Sequence, residues 1–224
     1  MNEREAAVER LFSRIAPNYG VLNTVLTFGL HRLWRRFATR KVPQGQGTTA
    51  LDLCAGTGDF AVALRRTGTT VIAADLSAPM LTIARHRSHG ALPVVVADGF
   101  QLPFASGCFD AVTVGFGLRH AQQDLPALLR EVRRVLRDSG KLVVLELSHP
   151  PAPLWRWLTG LYIQALIPLI GAVVDAEAYR YLAQSLRGYP DAPTLQAMLL
   201  ASGFAACEYH LLTGGIVAVH VATA

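Results

Sequence analysis

The sequence predicts a doubly wound α/β domain whose mostly parallel, seven-stranded sheet ends in a C-terminal antiparallel hairpin. Three observations predict it. Short apolar runs alternate with amphipathic helical stretches, the pattern of a parallel sheet with crossover helices. A glycine-rich loop separates the first such run from the first helix. At the end of the chain two strand-like runs meet at Gly214-Gly215, a hairpin signal, with no helix between them.

Ahead of the sheet, residues up to about Lys41 read as helix, with Leu11, Ile15, Tyr19, Leu22 and Leu26 three and four apart. Pro43-Gln44-Gly45-Gln46-Gly47 breaks the chain. Residues 50–54 read as the first strand, 57–66 as the first helix and 70–75 as the second strand. Ser77 then stands at an N-cap position, with Pro79 in the first turn of the next helix. Residues 93–97 and 109–115 are the third and fourth strands. Residues 122–137 form an amphipathic helix with Leu125, Leu128, Leu129, Val132, Val135 and Leu136 inward. Asp138-Ser139-Gly140 turns the chain into a fifth strand, 141–147.

Residues 154–174 carry one charge, Arg156, and could span a bilayer by length alone. Gly160, Pro168 and Gly171 interrupt them, so a buried or lid-like helix pair, with a membrane surface as a candidate contact, is expected instead. A short helix at 195–202, stopped by Gly203, precedes strands at 206–212 and 216–222. The whole reads as one domain, 1–224, with a helical cap over 1–41 and a helical lid inserted at 151–190.

Composition narrows the functional classes. Of the 224 residues 51% are hydrophobic and 17% charged, enough to cover both faces of a sheet. The formal net charge is +5, with Arg35, Arg36, Arg40 and Lys41 in one dense run behind His31 and Arg32. Such a run suits a solvated helix face or an anionic membrane. No nucleic-acid motif accompanies it, and no nucleic-acid partner is expected. Cys54, Cys108 and Cys207 are odd in number and lack a CxxC pair, which argues against disulfides or zinc and for a cytoplasmic setting. The first residues have mixed charge and no apolar core of a secretory signal.

Gly56-Thr57-Gly58 follows a strand and opens a helix, where backbone can approach a ligand closely. With Ala61 it also satisfies the looser GxGxxA dinucleotide pattern, so an NAD(P)-dependent oxidoreductase is the rival reading. Asp52, just ahead of the glycines, would repel a pyrophosphate but suits a cationic ligand. Asp75 ends the second strand, where a carboxylate accepts ribose hydroxyls under either reading. Asp98-Gly99 follows the third strand. Three acids at three successive strand ends, in a parallel sheet finished by a hairpin, resemble the Rossmann-like class I S-adenosylmethionine (SAM)-dependent methyltransferase fold over the whole chain. That resemblance implies SAM as methyl donor, with Asp98 and the following N–H at the adenine.

A closer resemblance rests on blocks outside the loop. Residues 12–19 (FSRIAPNY) with Leu22-Asn23, Gly29-Leu30-His31 and Trp34-Arg35-Arg36 look like the N-terminal block of the ubiquinone/menaquinone biosynthesis C-methyltransferases. Phe116-Gly117-Leu118-Arg119-His120 resembles that family's FGLRN, 145–150 its LEFSxP, 179–186 its YxYLxESI, and 212–220 its LTxGIxALH. The family pattern puts Thr57, Asp75, Asp98, Gly99 and Gly115 at SAM-contact positions, with Gly115 contacting through backbone. Two departures stand out: Asn18-Tyr19-Gly20 lacks the acid of the usual RYD, and His120 replaces the usual Asn.

The resemblance implies methylation of a ring carbon of a prenylated hydroquinone, foremost demethylmenaquinol. A ubiquinone precursor or another phenolic or terpenoid acceptor is the alternative. Loss of a phenolic proton, with a pKa near 10, drives electron density onto the ortho carbon. The sulfonium is already an activated methyl donor, so no metal is expected. Arg119, which stays protonated, suits phenolate stabilisation, and His120 suits proton removal. Tyr19, His31, Tyr181 and Ser185 are candidates for the acceptor pocket. A lipophilic acceptor makes the inner face of a membrane a candidate location, with the 32–41 run facing anionic lipid. A homodimer is a candidate assembly.

Overall fold

The computed structural model describes residues 10, 11, 13, 14, 16, 19–162, 185 and 188–224. Strands β1 (Thr49–Leu53), β2 (Thr70–Asp75), β3 (Val94–Val96), β4 (Phe109–Gly115), β5 (Leu136–Leu147), β6 (Ala206–Leu212) and β7 (Val217–Thr223) form one sheet. Their order is β3-β2-β1-β4-β5-β7-β6. The first five run parallel, and β7 enters antiparallel between β5 and β6 with Lys141 opposite Thr223 and Leu147 opposite Val217.

Helices α1 (Tyr19–Leu26), α2 (Leu30–Thr39), α3 (Asp59–Arg65), α4 (Ala78–Arg87), α5 (Leu125–Val135), α6 (Pro153–Leu161) and α7 (Ala192–Ala201) accompany the sheet. Strand alternation assigns the two faces. Leu51, Leu53, Val112, Val114, Leu142 and Val144 pack with Leu125, Leu128 and Leu129 of α5 and Leu195 and Leu199 of α7. The opposite face carries small residues, Ala50, Ala73 and Ala111, against Trp34 and Ala38 of α2, Phe60, Ala61 and Leu64 of α3, and Leu81 and Ala84 of α4. Both faces are therefore covered, as a parallel sheet requires.

Several expected boundaries move, each for a local reason. The N-terminal helical run breaks at Phe28 (φ 50°) and Gly29 (φ 76°), so α1 and α2 are separate helices. The first crossover helix starts at Asp59, because Gly58 sits left-handed at its N-cap. Leu136, expected at the end of α5, is the first residue of β5 and pairs with Phe109. The turn at residues 138–140 is folded inside that strand, with Ser139 at φ 64° bonded to the carbonyl of Ala224. Helix α7 starts at Ala192 rather than 195, capped by Asp191, whose carboxylate accepts from the Thr194 N–H at 3.0 Å. Ser77 caps α4 as expected, accepting from Met80 N at 3.4 Å.

The proposed transmembrane-length run lies mostly outside the described residues. Among those described, no helix is long and apolar enough to cross a membrane.

Candidate active site

The loop after β1 is held from two sides. Cys54 and Gly56 take positive φ, and the Gly56 N–H donates to Asp75 Oδ2 at 2.8 Å, tying the loop to the end of β2. The other oxygen of Asp75 accepts from Ser77 N at 2.9 Å, so this acid also fixes the start of α4. Gly58 has a different task from ligand contact. A Cβ there would lie 2.7 Å from the Ala84 Cβ, so the missing side chain lets α3 and α4 touch.

Asp52 departs from its expected place. It is 1% exposed, and its oxygens accept from Ala61 N (2.9 Å) and Thr113 Oγ1 (2.9 Å). Gly58 offers no side chain to cap α3, so Asp52 reaches from β1 to satisfy an orphan N–H in the first turn of that helix. Burial pushes its carboxyl up to about 7, against the hydrogen bonds from Thr113 and Ala61, which favour the charged form. Asp52 braces the loop from below and does not line the clefts above it.

Two clefts open at the C-terminal ends of the strands, where open α/β sheets bind ligands. The first, about 120 Å³, is lined by Gly56, Asp75, Met80, Gly99, Gly115 and His120, among others. No Lys or Arg is among its described lining residues. An acid at the end of β2, apolar walls from Leu76, Met80 and Ala97, and no cation for a pyrophosphate fit a ribose, an adenine and a positively charged sulfonium. Asp98 lies beside this cleft, its side chain closing a turn onto the Phe100 N–H at 2.9 Å.

The second cleft, about 280 Å³ and mostly apolar, lies between α1, α2, α6 and the turn after β4. Its polar side chains include His31, Arg119, Ser148, His149 and Arg156. Arg119 is buried and donates from Nη1 to Glu146 Oε1 at 2.7 Å, and Glu146 is itself buried on β5. An arginine fork can serve a carboxylate and still present donors to a second oxygen. His31 shares a proton with Thr27 Oγ1 at 2.8 Å, and burial lowers its pKa. Trp34 closes one wall, its indole N–H donating to Thr213 Oγ1 at 2.8 Å.

Tyr19 and Phe116 line both clefts and form the wall between them. Phe116 is held at φ 59°, with its N–H on the Leu145 carbonyl at 2.8 Å.

The structure thus brings Tyr19, Gly56, Asp75, Gly99, Gly115 and His120 together, and gathers Tyr19, His31 and Arg119 in the neighbouring cleft. His120, expected beside the acceptor with Arg119, lines the first cleft instead. The two follow each other in a 3₁₀ turn, Leu118–Asp124, where successive side chains point about 120° apart. Thr57 faces away from both clefts, its hydroxyl accepting from Arg87 at 3.1 Å in a groove it shares with Arg35 and Asp59. Ser185 is buried and lines neither cleft. Tyr181 lies outside the described residues. Sequence reading missed Glu146, Phe116, Ser148 and His149 as site residues. The signal for Glu146 was present: it is the one charge in the apolar run 142–147.

Sheet order, glycine loop and a cleft at the ends of β1 and β2 with no Lys or Arg among its described lining residues are those of a class I SAM-dependent methyltransferase. The chain belongs to the ubiE/COQ5 methyltransferase family, whose model matches residues 1–224. It is 38% identical to the ubiquinone/menaquinone biosynthesis C-methyltransferase UbiE of Hahella chejuensis, over 98% of this chain and 92% of that one. It is 41% identical to the demethylmenaquinone methyltransferase of Corynebacterium efficiens, over 96% and 93% of the two chains. A solved SAM-dependent methyltransferase of Thermotoga maritima, described as a possible histamine N-methyltransferase, shares the fold at TM-score 0.70 and 18% identity. The match covers 96% of this chain and 98% of that one.

Proposed function

We propose that this enzyme transfers a methyl group from SAM, held in the first cleft, to a ring carbon of a prenylated hydroquinone in the second. Demethylmenaquinol is the acceptor of choice. The observation that carries the reading is the shared wall: a small cleft suited to a nucleoside sulfonium meets an apolar cleft with a buried arginine across Tyr19 and Phe116. The names of the relatives support the acceptor class.

Bound SAM supplies an electrophilic methyl group on its sulfonium. Asp75, already oriented by Gly56 and Ser77, receives the ribose hydroxyls, and Gly99 and Gly115 line the cleft with backbone alone, their missing side chains making way for Leu128 and Phe60. Asp98 serves the adenine end. Thr57 and Gly58 act indirectly, by fixing the loop. Arg119, aligned by Glu146, stabilises the negative charge that develops on the acceptor oxygen, the kind of preorganised electrostatics that lowers such barriers most. Tyr19 and His31 shape the acceptor side, and the apolar walls exclude water.

The described parts of the cap and lid segments, α1, α2 and α6, border this cleft. Phe28 is 75% exposed and Trp157 64%, and Leu154 and Leu161 are exposed as well. The Tyr162 hydroxyl donates to the Leu26 carbonyl, which joins α6 to the α1–α2 corner at the cleft mouth. We assign this apolar rim to the prenyl tail and the bilayer from which it comes. Arg32, Arg36 and Arg40, an exposed stripe of α2, supply attraction to anionic lipid.

The test is incubation with SAM and reduced demethylmenaquinone, followed by mass spectrometry. A gain of one methyl on the ring is expected. Turnover of SAM only with an acceptor lacking a free ring position would refute C-methylation.

A further inference from the structure

We propose that His149 is the catalytic base that removes the acceptor's phenolic proton, with the Ser148 hydroxyl receiving the same hydroxyl group as it docks. The inference rests on the quinol reading above and adds to it the fate of the proton.

A base for this reaction must lie on the acceptor side of the wall, be neutral near pH 7 and keep a nitrogen lone pair. His120 lies on the other side. Arg119 stays protonated, and His31, which lines the same cleft and bonds the Thr27 hydroxyl through Nδ1, is the rival base through its Nε2; the Ser148 hydroxyl, unpartnered among the described residues and next to His149 in the chain, decides between them. His149 lines the acceptor cleft on the loop leaving β5. Its Nε2 lies 2.9 Å from the carbonyl oxygen of Tyr189. A carbonyl only accepts, so the ring proton sits on Nε2 and Nδ1 is the basic nitrogen. The same carbonyl orients the ring and stabilises the imidazolium that forms, as the acid partner does in a catalytic triad.

Ser148 supplies an independent observation. Its Oγ is buried, lines the cleft, and has no hydrogen-bond partner among the described residues. Buried hydroxyls are seldom left so, and one that is marks a place for a ligand's polar atom. Ser148, His149 and Arg119 line the same cleft, so a phenolic hydroxyl received by Ser148 shares that cleft with the imidazole and the guanidinium. Among the described residues, the charged and titratable groups around His149 are Arg119 with Glu146, His31 of α2, Tyr19, Tyr162, Arg156 of α6, Tyr189, and Asp191 at the start of α7. The Asp191 carboxyl, held below its usual value chiefly by hydrogen bonds from Thr194, also interacts electrostatically with His149.

The step balances without a further reagent. The acceptor O–H bond breaks, its proton going to Nδ1 and its electron pair staying on oxygen. The ortho ring carbon bonds the methyl carbon while the carbon–sulfur bond breaks with its pair on sulfur. The ring C–H proton then leaves to water, the ring regains aromaticity, and the imidazolium returns its proton to the oxygen. One proton is released per methyl transferred.

The experiment compares wild type with His149→Gln and His149→Ala, using SAM and 1,4-naphthohydroquinone. The amide of His149→Gln keeps an N–H for the Tyr189 carbonyl but has no basic nitrogen. We expect kcat to fall about 10²- to 10⁴-fold in both, with KM for SAM within about twofold and the acidic limb of the pH–rate profile gone. Added imidazole is expected to restore activity to His149→Ala. Nitrogen-15 NMR of wild type without SAM gives a readout apart from turnover: an Nε2–H tautomer whose Nδ1 resonance shifts when the hydroquinone binds. A His149→Gln enzyme that keeps the acidic limb and a kcat within about threefold of wild type overturns the proposal. So does an Nδ1–H tautomer. Failure of wild type to methylate any hydroquinone would instead overturn the quinol reading, so the two failures are distinguishable.

Discussion

Replacing Asp52 by Asn separates a brace from a ligand contact. The carboxyl is pushed by burial from 3.8 to about 7, and this rise corresponds to about 4 kcal/mol against its ionised form. A group whose folded pKa is raised contributes stability that is whole below its unfolded value and lost as pH climbs through the folded one. Wild type should therefore lose stability relative to Asp52→Asn between about pH 4 and 7. The amide can accept from Ala61 N and donate to Thr113 Oγ1, so both hydrogen bonds survive at an exchange cost of about 1 kcal/mol. The variant is expected to be about 1 kcal/mol less stable than wild type below pH 3.5, about equal to it at pH 4.5 and about 3 kcal/mol more stable at pH 8. Urea unfolding at four pH values reads the difference directly. Calorimetric SAM affinity should change by less than about threefold, since the carboxylate lies beneath the loop. Parallel stability curves, or a loss of SAM affinity beyond about 30-fold, would refute the reasoning and put Asp52 on the donor.

Three further outcomes are expected. Arg119→Met should lower kcat about 10²- to 10³-fold with SAM affinity unchanged, because one charged hydrogen-bond donor is lost from the transition state; steady-state kinetics beside calorimetry decide it. Gly58→Ala combines a left-handed backbone with a Cβ 2.7 Å from Ala84 and should cost at least about 2 kcal/mol, a fall of roughly 4–8 °C in Tm by scanning calorimetry. Removing the exposed stripe Arg32, Arg36 and Arg40 together should cut binding to anionic liposomes by about 100-fold, at about 1 kcal/mol per residue, and leave recovery with neutral liposomes unchanged in flotation.

The central sheet was legible because strands buried on both faces must be continuous apolar runs, and β4 lies on such a run; β6, a half-exposed edge strand, was legible from the glycine turn that follows it. Caps were legible where one residue type satisfies one orphan group, as Ser77 does. Asp191-Ala192-Pro193 carried the same signal for α7 but was overlooked beside the apolar run that follows. The break at Phe28–Gly29 was hidden because apolar spacing continues across it while the backbone turns left-handed.

The site was legible as a set of residues and not as two compartments. Asp52 was read as facing the loop because a sequence places it next to glycines; its real partners, Ala61 and Thr113, lie nine and 61 residues away. Adjacency in sequence suggests one site for Arg119 and His120, but a 3₁₀ turn sends the two to different sides of Phe116.

The position of β7 has a consequence for the order in which the two compartments come into being. Every described residue lining the donor cleft lies between Tyr19 and His120, so a ribosome has delivered that half of the machinery before β5, β6 or β7 is made. The acceptor cleft needs Ile216, and its Trp34 wall is pinned to Thr213, 179 residues away. It is completed only when the last strand of the sequence threads between β5 and β6. A chain that stops short of β7 keeps the residues for the methyl donor without a finished place for the molecule that receives it.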